Sequence, residues 1–457
     1  LHGTDDLVVN GTTGSDAFTV AAGGNVTVAG RATIERAGTL TGLFLNGSWG
    51  DDSFSVASGH LYATVNLSSS NAAGSVANLT ADGTNPVTLQ LGTSPASAVD
   101  AVVTNAGLGA VTLSGVGRVN VAAGMQNVAV RGTEEDDDLT YRPTGANAGT
   151  VTKAGLSLVA NLSGTGALGI DGIRGDDTLT VLGTDAADAF TVSATAVLVG
   201  TLRGVSTISN IDALSVRGDA GADTFSVTPG AIPIHLSGDA PLGGPTGDTL
   251  TLNVTTDITY QPGSQSGTGR IDAAGSQPVS FEQMEQVTLD GDGGHGITIH
   301  GTQGADAFTL TAVSADDFTV SLNGATVTYT DFASVTLEGF DGDDAFTVSP
   351  IAGFTTEVTI RGGNPATGSD TLHVNGTSAG ETIVVDLAGG MISVGTAGPI
   401  AFTGVESLSV NAAGGVDTLR VSGSATYEYT PGATADAGLL TTAGLPISFT
   451  NLGGGET

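Results

Sequence analysis

The sequence predicts an all-β repeat protein, a β-solenoid of the parallel β-helix kind. Three observations lead there. One short phrase recurs with fixed internal offsets, nearly every segment alternates apolar and polar residues with period two, and glycine or Asn-Gly punctuates the segments about every ten to twelve residues. The clearest copy lies in residues 335–348, where an acidic loop reads G-x-x-G-x-D-x-F-x-V through Gly339, Gly342, Asp344, Phe346 and Val348. No segment carries a helical period, and the runs are short and β-branched.

The first element is the acidic corner. An acid stands two positions before a large apolar residue at Asp16/Phe18, Asp52/Phe54, Asp177/Leu179, Asp188/Phe190, Asp223/Phe225, Asp306/Phe308, Asp344/Phe346 and Asp417/Leu419, among others. The second element is the module that these corners build. A spacing of eleven links Leu7 to Phe18, Leu179 to Phe190 and Leu372 to Ile383. A spacing close to thirty-six links Phe18 to Phe54, Phe190 to Phe225, Phe308 to Phe346 and Ile383 to Leu419. Repeat modules are therefore expected over residues 1–56, 172–227, 295–348 and 349–421. Residues 57–171 form an irregular β segment. Residues 228–294 form an insertion marked by Tyr260-x-Pro262, and residues 422–457 an incomplete repeat of it with Tyr429-x-Pro431. Tyr141 and Pro143 give a third copy of that mark.

Tandem β-sandwich domains are the alternative. They would keep a steadier period near ~100 residues, whereas the modules start at uneven intervals. A solenoid tolerates added rungs. In it, Phe18, Phe54 and their equivalents point inward and stack across rungs ~4.8 Å apart. The interval of thirty-six equals either one large rung or two smaller ones.

Composition narrows function. Lysine and arginine total 12 against 46 acids, for a net charge of −34. That excludes a nucleic-acid backbone as partner and argues against an anionic membrane surface. There is no cysteine, so disulfides and thiolate chemistry are absent. No apolar run reaches the ~18–20 residues of a membrane helix. The chain opens and closes in mid-phrase, as expected of a mature segment or part of a longer chain, and neither end looks capped.

An aspartate just before a strand can cap its own turn by accepting backbone N–H groups. A stacked row is harder to explain. With Asp16 one rung from Asp52, and Asp188 one rung from Asp223, like charges lie close unless they fan into water or share a cation. The expected cation ligands are Asp16, Asp51, Asp52, Asp176, Asp177, Asp188, Asp223, Asp306, Asp341, Asp343, Asp344 and Asp417. The phrase Gly-x-x-Gly-x-Asp-x-Phe, as in Gly47, Gly50, Asp52, Phe54 and in Gly218, Gly221, Asp223, Phe225, resembles the core of the repeat-in-toxin nonapeptide, a calcium-binding β-roll. The resemblance implies calcium as the ion. That family repeats every nine residues, whereas these loops stand eleven or about thirty-six apart. The chain as a whole resembles the long, acidic, Gly/Thr/Asp-rich repeat proteins that bacteria secrete or display, which implies a secreted, cell-surface scaffold or adhesin.

Signatures of catalysis are missing. There is no H-E-x-x-H, G-x-S-x-G or P-loop. Lys153, Arg131, Arg142 and Arg174 form the one basic group near many acids, which surface salt bridges account for. The expectation is a non-enzymatic, elongated structural protein that associates head to tail into a filament or surface layer. An adhesin stalk is the first alternative, and a polysaccharide lyase or hydrolase on a β-helix the second. Cell-surface polysaccharide is a candidate partner.

Overall fold

The computed structural model describes residues 5–36, 38–93, 99–239, 247–364, 369–424, 426–442 and 445–453. Among the described residues there are strands and no helix, and most strand pairs are parallel. The all-β, solenoid-like fold expected from the sequence is what the chain adopts. It divides into two compact units: Leu1–Phe225 with Gly230–Pro241, and Ser226–Pro229 with Leu242–Thr457.

Over the first rungs of the first unit the chain alternates between two sheets. Asp6–Asn10, Gly42–Asn46 and Thr64–Ser68 stack parallel in one. Ala17–Val20, Ser53–Ala57, Val76–Thr80 and Arg118–Ala122 stack parallel in the other. The interval of eleven is the step from one sheet to the other, from Leu7 to Phe18. The interval of thirty-six is one rung, because Phe18 pairs directly with Phe54. Bare rungs are shorter: Leu43 pairs with Val65, 22 residues on, and Leu214 with Ile234, 20 residues on.

Longer rungs carry a meander. Val87–Leu91 runs antiparallel to Ala101–Asn105, which runs antiparallel to Ala110–Ser114. The last of these fills the slot beside Thr64–Ser68, and the first pairs with Val128–Arg131 of the next rung. Asp138–Gly145, Ala148–Lys153 and Val159–Ser163 repeat the device. The irregular segment 57–171 is thus built of the same rungs, lengthened by these insertions.

The second unit uses the same parts. Ala307–Ala312, Ala345–Ser349, Thr371–Asn375 and Ser407–Asn411 stack parallel. So do Gly296–His300, Ser334–Glu338, Glu357–Arg361 and Ile400–Thr403. Meanders begin at Ile258–Pro262, Ala307–Ala312 and Thr382–Asp386. The Tyr-x-Pro mark is the first strand of such a meander.

Period-two patterning explains the core. Strands such as Ser53–Ala57 and Ser334–Glu338 bury every second residue. Parallel register then places like on like. Phe18 stacks on Phe54 at 5.2 Å, Phe190 on Phe225 at 4.8 Å and Phe308 on Phe346 at 5.0 Å between ring centroids. These distances are close to the strand spacing itself. Asparagines form a second ladder: Asn120 Nδ2 donates to Asn78 Oδ1 and Asn161 Nδ2 to Asn120 Oδ1, each at 2.8 Å.

Replacing Phe54 by Ala should empty a buried, stacked site and lower the unfolding free energy by ~3–5 kcal/mol. Replacing Trp49, 66% exposed, should change it by no more than ~0.5 kcal/mol. Urea unfolding monitored by circular dichroism checks both, and equal effects would contradict the stacked core.

Candidate functional site

The acidic corners come in two kinds, and the sequence determines which. Where threonine follows the first glycine, the corner closes on itself. The Thr184 N–H and Oγ1–H both donate to Asp188 Oδ2, at 2.7 and 2.9 Å. Thr302 does the same to Asp306 at 2.6 and 3.0 Å, and Thr12 to Asp16 at 2.5 and 3.0 Å. Thr377 caps Glu381 in the same way. One rung later the corner lacks that threonine. Ser48, Ile173, Asp219, Phe340 or Ala413 stands there, each with positive φ.

The two kinds are joined by one hydrogen bond. The backbone N–H of the first acid donates to a carboxylate oxygen of the second, one rung on. Asp16 N–H reaches Asp52 Oδ1 at 3.1 Å, Asp188 reaches Asp223 at 2.7 Å, and Asp306 reaches Asp344 at 2.8 Å. Asp137 reaches Asp177, and Glu381 reaches Asp417, each at 2.8 Å. The ladder continues from Asp344 to Asp370 and from Asp370 to Glu406. The acids therefore do stack, as the sequence suggests, and amide dipoles offset much of their repulsion.

Two glycines serve this arrangement. A Cβ at Gly339 would fall 2.3 Å from Asp344 Oδ2, and one at Gly47 would fall 2.0 Å from Asp52 Oδ2. The glycine five residues before the acid thus makes room for the carboxylate. Gly50, at φ 107°, lies against the rung before, where a Cβ would meet the Gly14 carbonyl carbon at 2.5 Å.

The twelve expected ligands divide accordingly. Asp52, Asp177, Asp223, Asp306, Asp344 and Asp417 are buried, while Asp16 and Asp188 are half-buried, and all eight carboxylates accept hydrogen bonds within or between corners. Asp51, Asp176, Asp341 and Asp343 are exposed. Asp51 accepts from Asn71 Nδ2 at 2.7 Å, Asp341 accepts from Asn364 Nδ2 at 3.2 Å, and the Asp176 N–H donates to Asp136 Oδ1.

The second kind of corner leaves one oxygen over. Oδ2 of Asp177, Asp344, Asp370 and Asp417 is buried without a hydrogen-bond partner. Burial pushes the carboxyls of Asp177 and Asp370 above their ordinary value. It pushes Asp344 up to about 6, opposed by the Asp306 N–H and reinforced by the charges of Asp370, Asp306 and Asp343.

A different acidic group is one that sequence reading missed. Ligand oxygens of Asp316, Asp317 and Asp331 lie within 4.8 Å of one another. The first two sit in the turn of the meander that begins at Ala307–Ala312, and Asp331 follows its last strand. Burial raises the Asp331 carboxyl, helped by Asp316, Asp290 and Asp317. None of the three belongs to the G-x-x-G-x-D phrase, and only the folded-back meander brings them together.

The basic group is fully engaged. Lys153 Nζ meets buried Asp137 at 2.6 Å. Arg131 pairs with Asp171, Arg142 with Asp219 and Arg174 with Glu134.

Substituting Gly339 by Ala should cost ~1–3 kcal/mol by overpacking the carboxylate. Gly304→Ala, where the nearest atom is 3.8 Å away, should be near neutral, and matching thermal melts would contradict this role for the glycine. The raised Asp344 carboxyl gives a pH dependence of definite sign. Its folded value of about 6 exceeds the unfolded ~3.9. Its contribution to stability is therefore full below the unfolded value and is lost as pH rises through about 6. Asp344→Asn should flatten the fall in urea midpoint between acid and neutral pH, and parallel curves for both proteins would refute the assignment.

A scan against protein-family models finds no match to this chain, and a search of curated proteins finds none either.

Proposed function

We propose that the protein is a secreted, cell-surface structural repeat protein that assembles by stacking a second copy on its outermost rungs. The observation that carries this reading is the state of the last meander, Tyr427–Pro431, Gly438–Thr442 and Ile447–Thr450. Its Tyr429 is 53% exposed, whereas the equivalent Tyr260 is 4% exposed. Leu439 and Tyr427 are exposed beside it. At the other edge Asp6–Asn10 pairs only with Gly42–Asn46 among the described residues, and Val8 is 58% exposed. Unpaired strand edges with apolar side chains are templates for further strands. Such an edge takes a further parallel rung, which we assign to a second copy because the rungs within each unit already pair parallel.

The pairing of Lys153, Arg131, Arg142 and Arg174 with acids suits a structural role for that basic group. Calcium belongs to the same reading, with Asp316, Asp317 and Asp331, whose ligand oxygens lie within 4.8 Å of one another, added to the candidate ligands. Copies of net charge −34 repel, and bound or screening cations reduce that repulsion.

Analytical ultracentrifugation with calcium, and then with excess chelator, tests the assembly. Concentration-dependent growth that Tyr429→Glu abolishes is expected, and a monomer at high concentration with calcium present overturns the reading. Calcium should also raise the melting temperature of the wild type but not of Asp331→Asn.

A further inference from the structure

The Tyr-x-Pro meander occurs in each unit, and the space above its tyrosine is filled in the first and open in the second. In the first unit the Tyr141 hydroxyl donates to the Arg203 carbonyl. The Arg203 guanidinium donates through Nη2 to Asn147 Oδ1 at 2.7 Å. Arg203 lies on Leu202–Val205, the third strand of the following meander, which packs against Asp138–Gly145.

In the second unit Tyr260 takes the place of Tyr141. Each stands two residues before a proline, and each abuts a glycine of the neighbouring strand. A Cβ on Gly149 would meet the Tyr141 ring at 2.3 Å, and one on Gly269 the Tyr260 ring at 2.6 Å. The following meanders align through their pairs, Phe190 with Val199 and Phe308 with Leu322. Four residues on, the place of Arg203 is taken by Thr326.

Threonine cannot fill what arginine fills. A cavity of about 450 Å³ remains, lined by Tyr260, Met284, Glu285, His300 and Thr326 among others. The Tyr260 side chain is buried, yet its hydroxyl has no hydrogen-bond partner among the described residues. Glu285, whose Oε2 also accepts the Asp248 N–H at 2.6 Å, brings a carboxylate to the wall. Burial lowers the His300 imidazole below its usual value. Among the described residues, no lysine or arginine lines the cavity. The wall is therefore acidic in a strongly acidic protein, and a cationic ligand suits it.

We propose that this cavity binds an arginine residue, through its carbonyl and its guanidinium together. The carbonyl accepts from the Tyr260 hydroxyl, as the Arg203 carbonyl accepts from Tyr141. The guanidinium faces Glu285, where a planar cation finds charge-assisted hydrogen bonds. The arginine is supplied either as a free small molecule or as part of a peptide.

Isothermal titration calorimetry of the full chain with L-argininamide and with Gly-Arg-Gly tests this. One saturable site is expected, with at least ten-fold weaker binding of L-norvalinamide, which lacks the guanidinium. Thr326→Arg should fill the cavity from within, and Tyr260→Phe should remove the donor. Each should weaken binding at least ten-fold while the circular dichroism spectrum is kept. Arg203→Thr should open the first unit and raise the stoichiometry from one to two. Tighter binding of the peptide than of L-argininamide supports a peptide source, and equal binding supports the free molecule. No binding of either by the wild type, or unchanged binding by Thr326→Arg, overturns the proposal.

Discussion

The hydrogen bond from the N–H of an acid in one rung to the carboxylate of an acid in the next is the contact on which the rest depends. It is charge-assisted, worth ~1.5–3 kcal/mol where buried, and it recurs at each paired corner. It also sets register. The strand begins directly after the acid, so anchoring Asp306 on Asp344 also sets Phe308 on Phe346. A slip of one residue would turn every inward side chain outward. The corner therefore fixes what the apolar strands, being alike, could not choose among themselves.

The glycine and the acid of a corner are one unit of chemistry. Gly47, Gly172, Gly218 and Gly339 each stand five residues before their acid, and a Cβ on any of them would strike that acid's Oδ2. The exception is instructive. Before Asp417 the same place holds Ala412, and Asp417 is 9% exposed, the most of the buried corner acids. Its Oδ2 is nevertheless buried, so the alanine is accommodated without freeing that oxygen. The threonine corners carry the same glycine, and a Cβ on Gly11, Gly132 or Gly301 would likewise crowd Oδ2 of Asp16, Asp137 or Asp306.

Much of this was legible in the residues. Period-two alternation pointed to the strands, and the recurring phenylalanines to a stacked core, but only the pairing of Phe18 with Phe54 shows that thirty-six residues make one rung. The rows of acids could be foreseen as well. What could not be read was the bond between rungs, in which the backbone N–H of one acid donates to the carboxylate of the next. The meanders were also hidden, because a strand that returns antiparallel has the same alternation as one that advances. For that reason the trio of Asp316, Asp317 and Asp331 had no signature. The relation of Arg203 to Thr326 had none either, since it rests on pairing rather than on neighbouring residues.

The meander carries a rule of parity. A parallel ladder requires each strand to run the way its neighbours run. A meander adds two strands to a sheet, reverses the chain twice and so hands it on in its original sense. One extra strand would invert every rung downstream. Such a chain can gain or lose whole hairpins by recombination and remain foldable, but half a hairpin would be lethal to everything after it. The meanders of both units keep to that rule, each adding two strands between parallel neighbours.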